Sequence, residues 1–251
     1  MKIIIALFLM VIYSGLAVAQ MPPGPESTIP GDITVDEGAF IEQIGNFHEA
    51  TINQTGYHAG RIYQEGEGPE GNYARLTQVG DNHTGFISQV GDDNTGVINV
   101  EGIGNISVIV QEGDGHNVQF SMQGENNTAD IRQFGTSDHL VGFAADDEHS
   151  IFQSGNNNQL FSVQIGGTDG HLLTTLDDRD YIQNGDGNLI DVWQEGSSHI
   201  ARLYQDGDGH TIIVVQHGSE NVTEIGQDGS GHWSFVTQNG NYNSATVNQS
   251  N

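Results

Sequence analysis

Between Gln183 and Gln249 the chain sets a glutamine at every eleventh position: Gln183, Gln194, Gln205, Gln216, Gln227, Gln238 and Gln249. Two residues after each of the first six stands a glycine, at Gly185, Gly196, Gly207, Gly218, Gly229 and Gly240. Five residues after comes an amide or an imidazole, at Asn188, His199, His210, Asn221, His232 and Asn243. Two residues before the glutamine an aliphatic side chain is usual, as at Val192, Leu203, Val214, Ile225, Val236 and Val247. Self-similarity at a fixed period marks a repeat architecture rather than a domain built round one deep core.

Counting back from a glutamine, the second, fourth and sixth residues are aliphatic, small or aliphatic, and Asn or His. Side chains alternate across a strand, so one face of a short strand carries all four positions. The positions between are mixed and suit a face open to water. After the glutamine comes a corner in which glycine supplies positive φ at no steric cost. Strand and corner, repeated, predict an all-β solenoid: two arcs of eleven make a coil of 22 residues, with equivalent residues about 4.8 Å apart along the axis. An eleven-residue helical repeat is the rival, but a glycine in nearly every unit and the dense Asn, Asp and Thr usage oppose it.

A buried amide without partners costs about 1–3 kcal/mol. Stacked over identical amides, each Gln or Asn donates to one neighbour and accepts from the other, as in cross-β ladders. The register must then be strict, since a slip of one residue turns every amide outward.

Met1 to Ala19 carries Lys2, an apolar run from Ile3 to Ile12 and the small-residue signature Ala17-Val18-Ala19, which reads as a secretory signal peptide cut before Gln20. The run is short for a membrane span, and no other candidate span follows. Residues 20–38, with Met21-Pro22-Pro23-Gly24-Pro25 and Pro30-Gly31, read as a flexible leader. Without the signal the chain keeps five arginines against 33 acids, a formal charge of −28, which argues against nucleic acid and anionic membrane surfaces as partners. There is no cysteine, so neither disulfides nor thiolate metal sites hold the fold. A hydrophobic share of 35% with 35 glycines is thin for one core but sufficient for a narrow one renewed coil after coil.

The repeat occupies residues 39–251. Before Gln183 its glutamines are Gln43, Gln54, Gln64, Gln78, Gln89, Gln111, Gln133, Gln153 and Gln164; the corner glycines include Gly45, Gly56, Gly80, Gly91, Gly113 and Gly135. Asn94, Asn105, Asn127 and Asn158 extend the amide position. Sixteen glutamines in the ladder place exclude chance. Val100 and Met122 replace glutamine while Gly102 and Gly124 persist. An insertion spans Glu67 to Gly71. Two arcs blur, Thr136 to Ser150 and Gly167 to Asp180, and read as distorted arcs or outward loops, with a domain boundary as the alternative; in the second, Thr175 and Asp177 stand where Gln and Gly are expected.

The pattern resembles the curlin repeat of bacterial curli fibres, Ser-x-x-x-x-x-Gln-x-Gly-x-x-Asn-x-Ala-x-x-x-Gln. Gln238-Asn239-Gly240-Asn241-Tyr242-Asn243-Ser244-Ala245 through Gln249 follows it from the first glutamine on; Met122-Gln123-Gly124-Glu125-Asn126-Asn127-Thr128-Ala129 through Gln133 follows it except at Met122. The likeness runs from about Phe40 to Asn251. It departs where histidine replaces asparagine and in the rarity of the initial serine. The resemblance implies strand-turn-strand units in a β-solenoid that polymerises into extracellular amyloid in biofilm, with this chain as major subunit or nucleator. A nucleator subunit and an outer-membrane secretion channel are the partners so implied.

A terminal rung carries unpaired N–H and C=O groups, and the last arc closes with Val247-Asn248-Gln249. Such an edge predicts head-to-tail growth, with the ladder residues at the terminal rungs as the functional ones. Acids at corners, as in Glu112-Gly113-Asp114-Gly115 and Asp206-Gly207-Asp208-Gly209, are expected to restrain it by repulsion. No cofactor is implied. Those corners lack the calcium-loop pattern, so no metal site is assigned. His210 and His232, 22 apart, should stack, either as amide substitutes or as a pH-sensitive or metal-binding edge. Phe152, Trp193 and Tyr204 precede ladder glutamines and should face outward. A polysaccharide-cleaving β-helix would need a singled-out cluster such as Asp177-Asp178-Arg179-Asp180, and enzymatic activity is not expected. The alternative class is a monomeric secreted solenoid that acts as an adhesin or binds ice, calcium or carbohydrate.

Overall fold

Inward glutamine and aliphatic positions at period two, broken every eleven residues by glycine, give short strands joined by tight corners. The computed structural model describes residues 38–135, 139–141, 151–166, 170–175 and 182–251. Its strands are β1 (Gly38–Gly45), β2 (Glu49–Thr55), β3 (His58–Gly66), β4 (Tyr73–Asp81), β5 (His83–Val90), β6 (Thr95–Ile103) and β7 (Ile106–Gly113). There follow β8 (Asn117–Glu125), β9 (Thr128–Gly135), β10 (Leu140–Val141), β11 (Ile151–Asn156), β12 (Gln159–Gly166), β13 (Leu172–Thr175) and β14 (Gln183–Asn184). The last are β15 (Leu189–Ser197), β16 (Ile200–Asp208), β17 (Thr211–Ser219), β18 (Val222–Ser230), β19 (Trp233–Asn241) and β20 (Ser244–Ser250). The expected signal peptide and nearly all of the expected leader lie outside the described residues, and β1 begins at Gly38.

Successive arcs alternate between two parallel sheets, so two arcs make one coil. The first sheet has nine strands in the order β1-β3-β5-β7-β9-β12-β15-β17-β19. The second holds the intervening strands from β2 to β20. There β10 and β11 share one level over β8, and β13 and β14 share one level under β16, so its strands also fill nine levels. The fold is an all-β parallel solenoid of about nine coils of about 22 residues, as the period requires. Register is like over like: Gln194 lies beside Gln216, and Gln216 beside Gln238.

Neither blurred stretch adds a level: β10 with β11, and β13 with β14, each occupy one. Val141 pairs with Val118 and Ile151 with Phe120, so the partners of β10 and β11 on β8 are separated by Gln119 alone. Thr175 pairs with Leu203 and Gln183 with Gln205, so Thr175 holds the aliphatic place and Gln183 the glutamine place. The expectation that Thr175 and Asp177 replace Gln and Gly is thereby corrected; Asp177 itself, with the Asp177–Asp180 cluster, lies outside the described residues. Pairing of β12 with both β9 and β15 carries the first sheet through without a break.

The core is a thin strip between the sheets, from Ile62, Leu76 and Ile87 through Ile109 and Ile131 to Leu203, Val214 and Ile225, all buried. Small residues make room for the opposite wall: a Cβ at Gly85 would lie 2.6 Å from Cδ1 of Leu76. Outside this strip, Phe86, Val110 and Phe134 form a second buried cluster with Val108, Val163 and Ile165 beside them. Phe86 sits between inward Gly85 and Ile87, so the outer face of the first sheet is apolar there instead of open to water. Among the described residues no helix is long and apolar enough to cross a membrane.

Candidate functional site: the amide and imidazole columns

The glutamines of the first sheet form one unbroken column. Nε2 of each donates to Oε1 of the glutamine one coil later, from Gln43 to Gln64 (2.7 Å), Gln89 (2.8 Å), Gln111, Gln133, Gln164, Gln194, Gln216 and Gln238 (each 2.9 Å). Nε2 also donates across to the main chain, as from Gln89 to the carbonyls of Tyr73 and Asn94, both 3.0 Å. At Gln89 both amide protons are thereby matched, which removes the penalty of placing a polar group in the core. All the bonds point the same way, from the β1 end toward the β19 end.

In the second sheet the column runs Gln54 to Gln78, then Gln153 to Gln183, Gln205, Gln227 and Gln249. Val100 and Met122 interrupt it and are themselves buried, which converts two levels from amide to apolar packing.

Two further columns follow the corners. In the first, His58, His83, Asn105, Asn127, Asn158, Asn188, His210 and His232 are stacked; each accepts, through Nδ1 or Oδ1, the main-chain N–H of the next. The second contains His48, Asn72, Asn94, His116, His139, His171, His199, Asn221 and Asn243, with Asn221 N–H donating to Nδ1 of His199 and Asn243 N–H to Oδ1 of Asn221. The second side-chain nitrogen goes to a corner carbonyl: Asn188 Nδ2 donates to Gly207 O at 2.7 Å, and His199 Nε2 lies 3.0 Å from Glu195 O. Asn and His are interchangeable because each offers an acceptor beside a donor in one plane. Sequence reasoning reached Asn94, Asn105, Asn127, Asn158, Asn188, Asn221 and Asn243 together with His199, His210 and His232. It passed over His48, His58, Asn72, His83, His116, His139 and His171, although all but His139 and His171 stand six residues before a ladder place.

The imidazoles stack face to face: His116, His139, His171 and His199 at centroid separations of 4.8, 4.8 and 4.9 Å, and His210 on His232 at 5.2 Å. A ring that accepts an N–H at Nδ1 must carry its proton on Nε2, so His139, His171 and His199, which accept the N–H of His171, His199 and Asn221, are held neutral. Burial, aided by the neighbouring rings, lowers His139 to about 3; burial also lowers His171 to about 4. His83 and His199 are lowered as well, again chiefly by burial. Where both nitrogens are engaged no lone pair points outward, and among the described residues no group of three metal-ligating side chains occurs.

All the expected corner glycines, Gly45, Gly56, Gly80, Gly91, Gly113, Gly135, Gly185, Gly196, Gly207, Gly218, Gly229 and Gly240, have positive φ. The corner also has a second left-handed position, four residues after the glutamine. It is filled by Gly104, Gly115, Gly187, Gly209 and Gly231, or by Phe47, Asn82, Asp93, Asn126, Asn157, Ser198, Glu220 and Tyr242. The run of Gly, Asn and Asp there was its signal in the sequence. Corner acids also stitch levels together: Asp114 Oδ1 accepts the N–H of Asp92, and Asp208 Oδ1 that of Asp186.

Trp193 and Tyr204 face outward by parity but are buried, at 4% and 7% exposure. Tyr204 lies flat over Gly226 of the next level, where a Cβ would meet its ring at 2.4 Å, and its hydroxyl donates to Asp228 at 2.6 Å. The expected outward direction holds for these two residues, but both rings are covered instead of open to water; the side chain of Phe152 lies outside the described residues.

Three segments, residues 70–102, 185–218 and 218–250, match the model of the Curlin associated repeat. No curated protein and no solved structure matches the chain. Within these three segments the chain carries Curlin associated repeats.

Proposed function

We propose that this protein is a structural subunit of a secreted, curli-like extracellular amyloid fibre that serves biofilm matrix and adhesion. The observation that carries the reading is the one-way amide column of the first sheet, which leaves donors at Gln238 and acceptors at Gln43. Among the described residues β1, β2, β19 and β20 are each paired on one side only. A copy added head to tail completes these edges and presents the same template again, an open contact that yields a filament. The three matched Curlin associated repeats support fibre assembly outside the cell. The ladder residues act as assembly residues and not as a catalytic set. A nucleator subunit and an outer-membrane secretion channel are the further partners this reading assigns.

The test is the behaviour of the purified protein. Thioflavin-positive fibres with a reflection near roughly 4.7 Å are expected. A stable soluble monomer under seeding would overturn the reading and favour a monomeric adhesin or ligand-binding solenoid.

A further inference from the structure

Resting on that reading, we propose that successive copies join in one fixed register, Gln43 over Gln238 and Gln54 over Gln249, selected by aromatic side chains of the two end coils.

Three independent observations converge on this joint. The first is residue matching. Setting β1 on β19 places Phe40 on Phe235, Ile41 on Val236 and Gly45 on Gly240; the same step sets β2 on β20 with Ala50 on Ala245, Thr51 on Thr246, Ile52 on Val247 and Asn53 on Asn248. Like therefore meets like across the joint as it does between coils within one copy.

The second is exposure. Among the described residues the exposed aromatics are Phe40, Phe47, Tyr57, Trp233, Phe235 and Tyr242, all in the first or last coil. The proposed register stacks Phe40 (49% exposed) on Phe235 (45%), and Phe47 (78%) on Tyr242 (73%). Phe47 and Tyr242 occupy the same corner position with φ of 61° and 59°, so their side chains leave the backbone in the same direction. Aromatic pairs facing each other across adjacent strands stabilise that pairing in preference to its shifted alternatives.

The third is hydrogen bonding at the last corner. Within the solenoid an Asn Nδ2 donates to the glycine carbonyl one level on, as Asn221 does to Gly240 at 2.9 Å. Asn243 instead donates back to Asn221 Oδ1. A Cβ at Gly240 would meet only Asn243 Nδ2, 3.7 Å away, whereas one at Gly218 would meet the Gly240 carbonyl at 2.2 Å. The carbonyl of Gly45 from the next copy fills that place, and the N–H of His48 then reaches Oδ1 of Asn243.

The test uses charge at the outward, half-exposed pair. Like charges directly opposite one another repel and unlike charges attract. In elongation from each variant's own seeds, F40E/F235E should run at least about fivefold slower than F40R/F235E, and the latter within about threefold of wild type. F40R/T246E, of equal net charge but with the acid on the other sheet, should not match F40R/F235E. Equal rates for the three variants would overturn the register while leaving fibre formation intact; absence of fibres from the wild-type protein would overturn the functional reading and the joint together. Should a variant lose its native circular dichroism, fibres from mixed ¹³C- and ¹⁵N-labelled wild-type chains decide. Intermolecular contacts between Gln238 Nε2 and Gln43 Cδ are expected, and contacts from Gln238 to any other coil contradict the register.

Discussion

Met122 lies beside Gln153 in adjacent strands, and Oε1 of Gln153, buried between them, has no hydrogen-bond partner. The column points one way, so this acceptor faces the level that should supply a donor, and a thioether supplies none.

Restoring amides at the interruption should therefore be cooperative. M122Q alone moves the unpaired acceptor one level down, against Val100, and should be close to neutral. V100Q/M122Q joins Gln78 to Gln153 and should be favourable by about 1 kcal/mol or more relative to the sum of the singles. A double-mutant cycle in urea checks this; strict additivity would contradict the directed ladder.

The two glycine positions of a corner should differ sharply in tolerance. At Gly113 φ is +131° and a Cβ would lie 1.5 Å from the Gly135 carbonyl, so G113A must shift the next level. At Gly209 φ is +69° and a Cβ would meet nothing within 4 Å, and asparagine tolerates that conformation. Denaturation should find G113A destabilised by about 3 kcal/mol or more and G209N within about 0.5 kcal/mol of wild type.

Acid should weaken the solenoid through its neutral histidines. In the unfolded chain they titrate near the ordinary 6.5, while His139 and His171 resist protonation to about 3 and about 4. The unfolded chain thus binds more protons in between, and their contribution is present above about pH 6.5 and lost as pH falls toward 4. H139N/H171N keeps an acceptor and a donor at each level and removes the titration. Its urea midpoint should fall less between pH 7 and 4.5 than that of wild type; parallel curves would refute the point.

Charge should govern the rate of assembly. With 33 acids against six basic residues, copies repel one another before they touch. Raising salt from 10 to 150 mM shortens the screening length from about 30 to about 8 Å. Lag times should shorten accordingly, and kinetics indifferent to salt would remove repulsion as the restraint.

Most of the fold was legible in the sequence because one physical demand, amide over amide, repeats without variation from Gln183 to Gln249. Levels that mix chemistries were harder to read. His139 and His171 lie next to insertions that displace them from the spacing, so their membership of the column appears only in three dimensions. Trp193 and Tyr204 were placed on the correct face, but alternation cannot tell that Gly226 leaves a shelf for a tyrosine ring. The apolar group around Phe86 was missed for a related reason: its members, Val110 and Phe134 among them, come from separate levels and adjoin only once the coils are stacked.

The central claim is that copies continue the solenoid without a fault, and the axial repeat of the filament tests it most directly. Nine levels at about 4.8 Å predict a rise of about 43 Å per subunit in cryo-electron microscopy, with continuous strand density across the joint. A gap in the 4.8 Å ladder at every subunit, or filaments whose strands come from refolded, non-solenoid chains, would contradict it.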